Sequence, residues 1–141
     1  MKKVILNKSY GGFDVSMKAY QEYAKRKHLK LSFYKQVFKD CKMTYTLVSS
    51  KNIKDKEFFY TISTKGHGRL THHIPDEDIL YLNEDFREDE TLIDVVEELG
   101  KEANTIYSDL VVVEIPDDVA KDYVIDNYDG IEVLHQRVKE W

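Results

Sequence analysis

Lys3-Val4-Ile5-Leu6-Asn7-Lys8-Ser9-Tyr10-Gly11-Gly12-Phe13-Asp14-Val15-Ser16 decides the reading of this chain. Lys3–Leu6 has the apolar run of a short buried strand. Gly11 and Gly12 then allow backbone conformations closed to other residues. Ser16 stands where a helix N-cap belongs, because its hydroxyl can accept from a free amide of the first turn. Met17, Tyr20, Ala24 and His28 recur at helical spacing, while Lys18, Gln21, Glu22, Lys25 and Arg26 fall on the opposite face. The segment therefore predicts a strand, a glycine turn and a helix over about 16–28.

A second helix is expected at about 90–103. Leu92, Ile93, Val96, Leu99 and Ala103 form its apolar stripe, and Glu88, Asp89 and Glu90 complement the positive end of its dipole. Gly100 inside that pattern either permits close packing or ends the helix early. Leu110–Ile115, stopped by Pro116, reads as a central strand. Asn127-Tyr128-Asp129-Gly130 is a turn sequence between the strands Tyr123–Asp126 and Ile131–Leu134. Residues 29–56 fit no single period. Thr44–Val48 and Phe58–Ser63 read as two strands of a hairpin joined by the polar loop Lys51–Lys56. Lys65–Arg69 reads as a flexible connector, and Ile79–Leu82 as a short strand after the turn at Pro75-Asp76. The terminal Trp141 is expected to be tucked against the fold. The sum is an α+β chain, with mostly antiparallel sheet packed against two main helices, in a single domain over 1–141.

The chain has 141 residues, 42% of them apolar and 33% charged, with only 6 Gly and 2 Pro. That balance excludes disorder. The single cysteine, Cys41, cannot make an internal disulfide or, alone, a zinc site. The N-terminal apolar run is too short for a signal peptide, and nothing approaches the ~20 residues of a membrane span. These features point to a soluble cytoplasmic protein without membrane partners. Residues 1–73 carry 16 Lys/Arg against 5 Asp/Glu, and residues 74–141 carry 5 against 21. Opposed charge of this kind, with 10 tyrosines, favours self-association into a homo-oligomer. A nucleic-acid role for the basic half is the weaker reading.

Two stretches are candidates for binding an anion. Tyr10, Gly11, Gly12 and Phe13 precede a helix N-terminus, whose amides attract negative charge, but the Lys-Ser/Thr of a phosphate loop is missing. The same glycines equally serve a structural turn. Lys65, His67 and Arg69 on a glycine-spaced loop could fold around a phosphate, with Arg69 donating in bidentate fashion; the same loop equally reads as ordinary surface. His67, His72 and His73 cluster in sequence, and with Asp76 or Asp78 a metal site can be drawn, but adjacent histidines in a strand point to opposite faces, so neither a metal nor a cofactor is expected. No nucleophile elbow accompanies Cys41 or His135. Glu114, Asp117, Asp118, Asp129 and Glu132 could supply an acid–base pair, but carboxylates so placed usually serve as turn charges and caps, so no catalytic residue is assigned.

Val4–Lys8 with Tyr10–Phe13 and Ser16, then Arg87-Glu88-Asp89, Val96–Gly100, Val113–Val119, Tyr128–Glu132, His135 and Trp141, form a joint pattern. It resembles a family of small proteins found largely in phages and prophages, whose function is not settled. The resemblance covers about half the chain, at both ends. Gln136 separates His135 from Arg137, where the family pattern has the two adjacent. The resemblance implies a phage setting, in the cytoplasm of a host. Small phage proteins without catalytic motifs often act by binding, so the leading expectation is a non-catalytic protein that sequesters an anionic, nucleotide-like host defence signal. Its expected ligand residues are Tyr10, Gly11, Gly12, Phe13, Lys65, His67, Arg69 and Arg87. A protein–protein inhibitor of a host factor and a small nucleotide-processing hydrolase are the alternatives.

Overall fold

The computed structural model describes residues 1–49, 53 and 60–136. The chain is α+β, with antiparallel strand pairing throughout the described sheets. It divides into two compact units, Met1–Ala19 with Leu82–Trp141, and Tyr20–Tyr81. No helix among the described residues is long and apolar enough to cross a membrane.

In the first unit, β1 (Lys2–Asn7) pairs with β6 (Leu110–Ile115), with Ile5 opposite Val112 and Asn7 opposite Leu110. β6 was expected to be central, but among the described residues it pairs with β1 alone. Helix α2 (Glu90–Leu99) packs on this pair through Leu92, Ile93, Val95 and Val96. The Asp89 side chain caps it by accepting from the Leu92 amide. Gly100, at φ +59°, ends the α-helix, and the chain tightens into a 3-10 turn over Gly100–Ala103. α3 (Asp117–Ala120) follows, then the hairpin of β7 (Tyr123–Tyr128) and β8 (Ile131–Gln136). Asp129 (φ +53°) and Gly130 (φ +102°) form its two-residue turn, the geometry that matches strand twist. Val4, Leu6 and Ile115 make a core against Val111, Val113, Tyr123, Ile125 and Leu134. Each alternate residue of β1 thus has an apolar partner.

Helix α1 (Met17–Arg26) carries the chain from the first unit into the second. Ser16 caps it, accepting from the Ala19 amide, and His28 at φ +57° lies beyond its end. The second unit is a four-stranded sheet in the order β4-β2-β3-β5. Its strands are β2 (Ser32–Lys39), β3 (Lys42–Val48), β4 (Tyr60–Ser63) and β5 (Leu70–Thr71). Thr44–Val48 was expected to form a hairpin with Phe58–Ser63, but the described part of the latter, Tyr60–Ser63, does not pair with it. β3 turns back onto β2 through Asp40-Cys41, and β4 pairs with the other edge of β2, Phe33 opposite Ile62. Asp40 and Cys41 sit at φ +54° and +61°, so two non-glycine residues make the turn. Ile79 makes only an isolated bridge to Ser63 instead of a strand. The expected loop at Lys51–Lys56, except Ile53, and Trp141 lie outside the described residues.

Candidate functional site

Within the first unit, the loop after β1, the entry to β6 and the β7–β8 turn meet at one end of β1. Asn7, fully buried, is the hub. Its side-chain amide donates to the Ser9 carbonyl (2.8 Å) and to the Gly130 carbonyl (2.6 Å), and its side-chain oxygen accepts from the Asp109 amide (2.9 Å). One side chain therefore fixes the loop after β1, the entry to β6 and the β7–β8 turn. The glycines complete the fit. A Cβ on Gly11 would overlap the Tyr107 carbonyl and side chain, and one on Gly130 would lie 2.6 Å from the Gly12 nitrogen. Gly12 itself is at φ +96°. Both glycines of the Tyr10–Phe13 turn thus answer to close backbone packing, and Gly130 covers the Gly12 amide from one side.

Arg87 was expected to face an anionic ligand, and the structure gives it an internal one. Its guanidinium donates to Glu132 at 2.7 and 3.2 Å and to the Ile5 carbonyl at 3.1 Å. The Arg87 carbonyl accepts from the Ile5 amide, and Glu132 accepts from the Asn7 amide at 2.8 Å. This pair satisfies the polar edge of β1 that faces away from β6. Both side chains are largely withdrawn from water, at 13% and 4% exposure. Phe13 lies under the guanidinium, 5.4 Å from ring centre to its carbon, which ties the glycine turn to the same pair.

In the second unit, Lys65–Arg69 is not the flexible connector it was expected to be. The Tyr34 hydroxyl, on a fully buried ring, accepts from the His67 amide (2.8 Å) and donates to the Gly68 carbonyl (2.9 Å). His67 Nε2 meets the Asp78 carboxylate at 2.9 Å, and Lys65 approaches the same carboxylate at 3.7 Å. The Arg69 carbonyl accepts from the Leu47 amide, while its side chain is exposed. Sequence reading missed Tyr34 and Asp78 in this role; the abundance of tyrosine, whose hydroxyl needs a partner when its ring is buried, was the available signal.

The remaining candidates fall out as follows. Glu132 is taken up by Arg87, Asp117 lies 3.1 Å from the Met1 amino group, and His135 is exposed and pairs at 2.7 Å with Asp126, a residue outside the candidate set. Among the described residues no group of three or more His, Cys, Asp or Glu could hold a metal ion. Cys41 is exposed at its turn. A groove of about 430 Å³ on the first unit is lined by Lys2, Lys3, Glu88, Glu90, Ile93 and Asp94, with Met1, and includes none of the expected ligand residues. Beside it, Glu88 accepts from Lys2 and from the Tyr123 hydroxyl. These bonds hold its carboxyl below the usual range, the Lys2 bond most strongly, while burial, then Glu88, push Tyr123 up to about 12.

No protein-family model matches the chain, and neither the curated proteins nor the solved structures contain a significant match to it.

Proposed function

We propose that this protein acts by binding and not by turnover, taking up an anionic, nucleotide-like small molecule at the Lys65–Arg69 loop. The observation that carries this reading is the grip of the Tyr34 hydroxyl on the backbone of His67 and Gly68. A loop already ordered loses less entropy when it binds, so its cations are worth more. Arg69 supplies a planar fork suited to phosphate, Lys65 an exposed point charge at the long distance of 3.7 Å from Asp78, and His67 an imidazole held in place by Asp78. Residues 20–81 carry 12 Lys/Arg against 7 Asp/Glu, so the net charge of this stretch of sequence favours an anion. Arg87 is left out of the ligand set because Glu132 already answers its charge, and the glycine turn because its glycines serve packing. In the phage setting that the resemblance implies, capture would withdraw a signal nucleotide from the host, a counter-defence role.

The burial of Glu132 against Arg87 supports binding over hydrolysis, since this candidate carboxylate is committed before any substrate arrives. The test is thermal melting against a panel of pyrophosphate, cyclic dinucleotides and ADP-ribose. Ligand at 100 times its Kd should add ~2.7 kcal/mol of stability. The shift should vanish in Arg69→Ala, whose ligand-free melting temperature stays unchanged because that side chain is exposed. Chromatography should return the ligand intact. A flat response over the panel, or an undiminished shift in Arg69→Ala, removes the reading; recovery of an altered nucleotide replaces it with an enzyme.

A further inference from the structure

Three loops of the first unit each carry an exposed tyrosine to the same end of β1. Tyr10 is 76% exposed, Tyr107 60% and Tyr128 63%, with Ile106 beside Tyr107 at 55%. Their backbones are held together by Asn7 and by the glycine contacts of Gly11 on Tyr107 and of Gly130 on Ser9 and Tyr10. Isolated exposed aromatics need no explanation, but three gathered on one anchored platform do. Tyrosine on pre-ordered loops is the composition of protein-binding surfaces, because its rigid ring gives large contact area for two torsions.

We propose that these loops form a docking surface for a Lys/Arg-rich segment of a partner protein. The charge of the platform selects that occupant. Residues 8–14, 105–109 and 127–130 contain Asp14, Asp109 and Asp129 but one cation, Lys8, whose ammonium donates to the Glu132 carbonyl at 2.6 Å. Tyrosine faces attract guanidinium and ammonium groups, and carboxylates around them complete the match. Residues 1–19 with 82–141 carry 9 Lys/Arg against 19 Asp/Glu, a field that steers a basic partner inward and repels nucleic acid. The surface is independent of the Lys65–Arg69 loop and stands or falls separately from it.

The probe is a fluorescein-labelled decapeptide of alternating Arg and Ser, with an alternating Glu and Ser peptide as control. Binding of the basic peptide should perturb amide resonances of residues 8–14, 105–109 and 127–130. Affinity should fall at least tenfold in Tyr10→Ala/Tyr107→Ala/Tyr128→Ala, with the melting temperature and the nucleotide response unchanged. Asp109→Asn/Asp129→Asn should weaken binding and flatten its salt dependence. The proposal is overturned if the triple variant binds the peptide as the parent does, or if the perturbed amides lie elsewhere on the acidic unit. It is equally overturned if the basic peptide does not bind, if oligo-uridine occupies these loops instead, or if the tyrosines serve only to join two copies of this chain.

Discussion

Arg87 and Glu132 lie 45 residues apart and meet in a bidentate pair that closes the polar flank of β1. A buried ion pair is weak evidence of net stability, because desolvation offsets much of the attraction. Breaking one partner is another matter. Arg87→Met leaves the Glu132 carboxylate buried and uncompensated and should cost about 3–5 kcal/mol in urea unfolding, while Arg87→Met/Glu132→Leu should recover only part of that loss, because the Asn7 amide and the Ile5 carbonyl stay without these partners. A double variant as unstable as the single one would show that the buried charge adds nothing to the loss, and full recovery would show that the strand-edge bonds add nothing. None of this was visible in the sequence. Glu132 was read as one of several turn carboxylates, and Arg87 as a ligand group, because nothing in local spacing tells a charge that faces water from one that meets its opposite across the fold. Gly11 and Gly12 were legible as a turn, but the reason for Gly11, the Tyr107 backbone pressed against it, belongs to tertiary structure.

The elements divide by whether their signals are local. Both main helices were legible because cap and apolar stripe agree: Ser16 and Asp89 each accept from an amide three residues on. The β7–β8 hairpin was legible because Asp-Gly is the preferred pair for its turn. The β2–β3 hairpin was not, because Asp40-Cys41 adopts the same positive-φ geometry without glycine. The left-handed conformation costs a non-glycine residue about 1–2 kcal/mol. Asp40→Asn/Cys41→Gly should therefore raise stability, by up to about 1 kcal/mol after the extra chain entropy of glycine is set against it. Chemical denaturation would check the sign, and a loss of stability would mean that strain is absent from this turn. Missing that turn left β2 unread as a strand, so Thr44–Val48 and Phe58–Ser63 were paired with each other instead of with its two edges.

Over the whole molecule, titration should follow the Lys2–Glu88–Tyr123 chain of hydrogen bonds. Glu88 has its carboxyl pulled below the ordinary 4.5, so its contribution is present above that value and lost as pH falls through the folded value. Tyr123 is raised from 10.0 to about 12, so its contribution is full below 10.0 and disappears as pH climbs through about 12. The melting temperature should hold a plateau between those limits and decline on both sides, and Tyr123→Phe should blunt the alkaline decline. Absorbance at the phenolate band should show one tyrosine resisting ionisation to about 12 in the parent only. The mixed α+β class was legible at this scale from the apolar periodicities alone, whereas the two-unit division was not, since no Pro/Gly-rich or low-complexity linker separates Ala19 from Tyr20 or Tyr81 from Leu82. The sealing of β1 by side chains, where many sheets would use a third strand, sets how this protein fails. A flank guarded by two residues becomes sticky the moment either lets go, and its bare amides and carbonyls then invite annealing by any extended peptide nearby. Damage at that lock would surface first as clumping between molecules, before the rest of the fold had come apart.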